Sequence, residues 1–292
     1  MGLQESKVTK NIPKDAKLWR YMTLDKLINL LTTQKLFFTP VYSYKDSDPF
    51  EGTLPKVAFE AMKEIFLKDR TDSLDMAIKL RDVFLTVNSG SQEELLKLEK
   101  LNEAIEKIES INKSIPIMTN RIYKSTLVNC WHQNEFESEA MWRLYSENNK
   151  GIAIQTTFQS LVDSIDDQRV FLSEVKYLNF HDENLKPSDC VVNGHLSPLL
   201  KRKSFEHERE VRLFFQPQND RETLAAEDYK YEHHLVEVNV STLISKIYIS
   251  PYAQEPFISS VREVVKLLGI DEKNIITSNL LGVDQTMNWE SY

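Results

Sequence analysis

Seven glycines are scattered through 292 residues, and no two of them form G-x-G. No G-K-[ST] occurs either. Glycine-rich phosphate loops need glycine where the backbone closes on a ligand, so the common nucleotide-binding folds are excluded. Any site must therefore be built from side chains carried on strands and helices. The material for a core is present: 41% of residues are hydrophobic and 10% aromatic, which argues against disorder. The length suits one large domain or two ordinary ones.

Hydrophobic patterning alternates between strands and helices without a strict βαβ order, which predicts an α+β fold. KLWRYM (17–22) reads as a strand and TLDKLINLLTTQ (23–34) as a helix capped by Thr23. KLFFTP (35–40) reads as a second strand, followed by the polar loop YSYKDSDPFEG. Residues 56–113 are charged and helical in period, with Leu98, Leu101, Ile105 and Ile108 as a seam. Breaks near 69–72 and at Ser89-Gly90-Ser91 give two or three helices. Beyond them, TLVNCWHQ, GIAIQT, VFLSEVKYL, EVRLFF, HLVEVNV and KIYISP read as strands. SEAMWRLYSEN (138–148) and EPFISSVREVVKLLG (255–269) read as helices, the second ended by Gly269.

A net charge of −8 leaves no global basic field for duplex nucleic acid. Lys201-Arg202-Lys203 reads as a solvated segment. Two cysteines, Cys130 and Cys190, point to a reducing compartment, and no apolar run reaches the ~18 residues of a membrane span. The expected location is cytoplasmic. Cys130, His132, Cys190 and His195 do not have the spacing of a metal site.

Five stretches stand in a telling order: LWRYM with LFFTP; KDSDPFEG; CWHQNEFESEAMWRLYSENNKGIAIQ; FEHEREVRLFF; and ISKIYISPYA. Together they resemble the bacterial family called domain of unknown function 2971, with 56–120 as a helical insertion in a single domain of 1–292. Beneath this lies a likeness to the arginine-type ADP-ribosyltransferase plan: an Arg on the first strand and, far downstream, E-x-E opening another. That likeness implies a small mixed or antiparallel sheet and NAD as cofactor. Arg20 would hold a phosphate, Glu210 the ribose hydroxyl and the developing positive charge, and Glu208 an acceptor. Tyr21 and Trp131 would stack on rings. The plan's middle Ser-Thr-Ser motif is missing, with Thr39 or Ser43 as stand-ins. By analogy alone, the implied role is a toxin or antiphage effector.

Physical chemistry leaves the carboxylates with two readings. Glu208 and Glu210, two apart in a strand, would face one side and repel, so something must offset them. Either a ligand does so, or Glu206, Glu208 and Glu210 form a surface ladder with Arg209 and Arg212. Arg20, between Trp19 and Tyr21, suits bidentate anion recognition or a salt bridge to an interior acid such as Glu210. Met141, Trp142 and Tyr145 read as one core face. The alternative to an enzyme is a non-catalytic interaction module, which uses the helical insertion to bind a partner or a second copy.

Overall fold

The computed structural model describes residues 2–87, 91–195, 197–216 and 232–282. β1 (Lys17–Thr23), α1 (Leu24–Thr33) and β2 (Lys35–Pro40) open the fold. The chain then leaves the sheet through α2 (Lys56–Val87) and α3 (Gln92–Ser125), which pack against each other, and re-enters at β3 (Leu127–Gln133). α4 (Glu139–Tyr145), β4 (Gly151–Thr157), α5 (Phe158–Ser164), β5 (Phe171–Glu174) and β6 (Lys176–Leu178) follow. β7 (Leu200–Arg202), β8 (Glu210–Phe215), β9 (His234–Glu237), α6 (Val240–Leu243), β10 (Lys246–Ile249), α7 (Phe257–Leu267) and β11 (Ile275–Thr277) complete it. The fold is mixed α and β, as the patterning predicts.

The main sheet runs β11-β10-β4-β1-β3-β2-β9, with β8 also on β3 and β5 on β8. Only β10–β11 is parallel within it. β3 is the pivot. One edge pairs with β8 along six residues, from Leu127↔Phe215 to His132↔Glu210. The other edge is shared: β1 takes Gln133 and His132, and β2 takes Val128 and Leu127. Asn129, Cys130 and Trp131 therefore sit in a fork between β1 and β2, without a strand partner on that side.

Side-chain alternation sets what each face carries. Leu18, Met22, Trp131, Val211, Leu213 and Phe215 form the large core on one face, under the apolar stripe Leu27, Leu30 and Leu31 of α1. The opposite face carries two smaller clusters. Val41, Val128, Leu199, Leu200 and Phe214 form one; Trp19, Tyr21, Met141, Trp142 and Ala153 form the other. By register, Cys130, Arg212, Glu210 and His132 lie on that same face, between the two.

Several expectations need correcting. α2 runs unbroken through 69–72, because a charged, proline-free stretch offers no reason to stop. The second expected break falls on residues 88–90, outside the described residues. α3 runs past 113 and 120 to Ser125. VFLSEVKYL is two strands in two sheets, β5 on β8 and β6 on β7. Thr23 makes no side-chain cap to α1, whereas Ser138 does cap α4 through the Met141 amide. Met141 and Trp142 are core, but Tyr145 is 44% exposed. Gly269 ends α7 with φ +91, as a left-handed terminator.

Gly151 starts β4 where a Cβ would come 1.9 Å from the Ser146 hydroxyl oxygen. Gly151→Ala is expected to lose ~1–3 kcal/mol by overpacking. At Gly269 a Cβ meets nothing within 4 Å, so only the positive φ opposes Gly269→Ala, at about 1 kcal/mol. Urea denaturation of both variants measures the contrast; a Gly151→Ala protein as stable as wild type would contradict this packing.

Candidate functional site

The E-x-E pair does not sit on one strand. Glu208 ends a 3-10 turn (Lys203–Glu208), Arg209 adopts φ 43, and only Glu210 enters β8. The left-handed Arg209 swings its own side chain out to Asn134 and lets both carboxyls turn inward. They converge on Lys201 of β7: Lys201 Nζ donates to Glu208 and, at 2.8 Å, to Glu210 Oε1. Arg212, two residues along β8, donates from Nε to Glu210 Oε2 at 2.6 Å. Its Nη1 reaches Glu51 Oε1 and the Pro198 carbonyl, both at 2.7 Å. Glu51 Oε2 lies 3.3 Å from Lys201 Nζ.

All five side chains are buried. The surface-ladder reading therefore fails, and so does the solvated-segment reading of Lys201-Arg202-Lys203. Lys201 is in the cluster, and Arg202 pairs with buried Asp48 at 2.6 Å; only Lys203 is exposed, paired with Glu206. The loop bearing Asp48 and Glu51 is thus clamped to β7 and β8 by three cations.

Charge counting predicts the protonation state. Three carboxylates against two cations would leave one net negative charge in a low-dielectric site, which is costly. One proton removes it. Burial, followed by a hydrogen bond to Glu210, pushes Glu208 up to about 8. Burial also works against the Glu210 carboxylate, but Arg212 and Lys201 override it and hold its pKa well below the usual range. Lys201 and Arg212 are raised; burial opposes their charge, and Glu210 leads the groups that override it. At neutral pH the pair is one acid and one carboxylate.

Arg20 stands apart from this cluster. Nη1 donates to the Cys130 carbonyl at 2.9 Å, so the guanidinium takes the place of the missing strand partner in the fork. Asn129 bonds the Phe37 carbonyl beside it, at 3.0 Å. Among the described residues Arg20 has no carboxylate within salt-bridge distance, so the expected pairing with an interior acid is absent. Burial lowers its pKa, while Cys130, Tyr44 and Tyr145 pull it back up. Arg20, Cys130 and Tyr44 lie deep among protein atoms yet keep accessible surface. Burial pushes the Cys130 thiol and the Tyr44 phenol each up to about 12, so both stay neutral.

Tyr145 and Cys130 link the two centres, since each is within electrostatic reach of Arg20 and of Glu210. Thr39 hydrogen-bonds Tyr44 at the fork. Tyr21 and Trp131 are not open stacking surfaces. Tyr21 is 6% exposed and its hydroxyl accepts the Ser138 amide; Trp131 is 1% exposed and donates to Asn129. Trp131 instead carries the Arg20 guanidinium 5.9 Å from its ring centroid. Ser43 is exposed.

Glu51, Lys201, Tyr44 and Tyr145 are the residues that sequence reasoning did not place here. Arg212 was visible only as a ladder partner. A cavity of about 810 Å³ lined by Leu31, Gln34, Val238 and Gly269 shares no residue with these groups. Among the described residues no cluster of His, Cys, Asp and Glu fits a metal ion, and no helix is long and apolar enough to cross a membrane.

Two outcomes follow. Arg212→Met leaves buried carboxylates unpaired and should cost ~3–5 kcal/mol, whereas Arg209→Met should stay within about 0.5 kcal/mol of wild type. Equal losses in denaturation experiments would restore the surface ladder. The second concerns pH. Glu208 has a raised folded pKa, so its contribution is whole below the ordinary carboxylate range, near 4.5, and is lost as pH rises through about 8. Glu210, being depressed, contributes above that ordinary range and loses its contribution on acidification. Stability should therefore fall between about pH 5 and 8 by at most about 1.4 kcal/mol per unit. Glu208→Gln should flatten the decline; an unchanged slope would refute the shared proton.

Comparison with curated proteins and with solved structures finds no match. Residues 141–213 match the family model described as protein of unknown function (DUF2971). That stretch, which carries Tyr145, Lys201, Glu208, Glu210 and Arg212, is similar to that family.

Proposed function

We propose that this chain is an NAD-dependent enzyme of the ADP-ribosyltransferase type, with its ligand at the strand fork. One observation carries the reading. Arg20 is a cation deep among protein atoms that keeps some accessible surface, with no carboxylate partner among the described residues, one Tyr145 away from a carboxyl pair. A guanidinium has five N–H donors in a fixed fork, and hydrogen bonds to described residues engage only Nη1, so the others suit a pyrophosphate. When bound, NAD supplies an ADP-ribosyl group with nicotinamide as the leaving group. Glu210 remains ionised and stabilises positive charge near it. Its two oxygens already accept from Lys201 and Arg212, so its role is electrostatic rather than as a free hydroxyl acceptor. Glu208 becomes a base for an acceptor only once its proton leaves, near pH 8. The toxin or antiphage role stays an analogy.

Labelled NAD tests this directly. Wild type should release nicotinamide, and Glu210→Gln should slow release ~10²–10³-fold, the usual loss of a transition-state electrostatic partner. Arg20→Ala should weaken NAD binding at least tenfold in protein whose far-UV circular dichroism shows it folded. Turnover should rise with pH through about 8 and lose that rise in Glu208→Gln. No NAD binding at millimolar concentration would end the proposal.

A second reading rests on its own observation. On α2, Met76, Leu80 and Val83 are exposed at helical spacing, outside the face turned to α3. This suits the interaction module, with a second copy or a protein partner on the arm. Light scattering of wild type against Leu80→Asp tests self-association; a monomer at every concentration removes that form of it.

A further inference from the structure

A separate cavity of about 370 Å³ lies at the far end of β8, within the ~300–1,000 Å³ of small-molecule sites. Its floor is aromatic. Phe171 of β5 and Phe214 of β8 are ladder partners, stacked at 5.4 Å and 22°. The His195 ring stands edge-on to both, at 4.9 and 5.0 Å. Burial lowers the His195 pKa, so the imidazole is neutral, and no hydrogen bond among the described residues engages its ring nitrogens.

One wall is the N-terminal segment. The Val8↔Leu172 bridge and the Thr9 amide bonding the Leu172 carbonyl dock it on β5. That docking places Lys7 Nζ 4.9 Å over the Phe171 ring, donating to the Gln168 carbonyl. Arg169, 5.0 Å over Phe215, also lines the cavity, but Asp167 already neutralises it through two bonds at 3.0 and 2.6 Å. Lys7 has no carboxylate within salt-bridge distance among the described residues. The cavity thus combines one uncompensated positive charge, an aromatic floor and a neutral imidazole.

We propose that this cavity binds a small molecule made of a flat aromatic ring bearing one anionic group. The ring packs on the half-buried Phe171, with the buried Phe214 stacked behind it, and meets His195; the anion pairs with Lys7. This lies outside the fork and does not depend on the NAD reading.

Isothermal titration of the full chain with adenosine monophosphate, anthranilate, adenosine and inorganic phosphate tests it. The first two separate a phosphate from a carboxylate as the anion. At least one of them should bind with Kd below about 1 mM, and adenosine and phosphate should each bind at least tenfold more weakly. Lys7→Ala should weaken the binding at least tenfold, Lys7→Arg should retain it, and Arg20→Ala should leave it unchanged. Lys7 is half-exposed, so its variants should fold. The proposal is overturned if neither ring-bearing anion binds, if phosphate alone binds as tightly, or if Lys7→Ala changes nothing.

Discussion

Three carboxylates and two cations, packed where water hardly reaches, dictate much of the local architecture. Glu51, Lys201, Glu208, Glu210 and Arg212 come from a loop, two strands and a 3-10 turn. Desolvating them costs several kcal/mol per ion, and only near-complete mutual satisfaction offsets that. The left-handed turn at Arg209, the clamped Asp48–Glu51 loop and the short strand β7 all serve this geometry. Arg212 donates to two carboxylates and a backbone carbonyl.

The second constraint is the shared edge of β3. A strand can pair with only one neighbour per edge at each residue, yet β1 and β2 both use the same edge. The three residues between them must satisfy their polar groups otherwise. Arg20 and Asn129 side chains do part of this work, at the Cys130 and Phe37 carbonyls. Arg20 is bonded at one carbonyl, whereas Arg212 donates to two carboxylates and a carbonyl.

Most strands and the amphipathic helices were legible, because alternation and the 3.6-residue period record burial directly. EVRLFF is an instance: Val211, Leu213 and Phe215 go to the large core, and Glu210 and Arg212 to the other face. The fate of the charges was not legible. Lys201 reads as one of three solvated cations, since nothing local says that two glutamates seven and nine residues away will turn onto it. That depends on the positive φ of Arg209, which a sequence does not announce at a non-glycine residue. Likewise Asp48-Pro49-Phe50-Glu51 reads as a turn, and only the tertiary structure reveals Glu51 as the third carboxylate of the cluster.

These two centres divide the chemistry between them. In the buried cluster almost every donor faces an acceptor, and the one labile element is the proton on Glu208. In the fork, the cation faces phenols and a thiol, all neutral, and holds a carbonyl that water could hold as well. An anion reaching the fork would gain a desolvated guanidinium without displacing a carboxylate of the described residues. An acceptor approaching Glu208 would have to compete with Glu210 for its proton. Under the proposed function, recognition would fall to Arg20 and pH control to Glu208, with Tyr145 and Cys130, each in electrostatic reach of Arg20 and Glu210, between them.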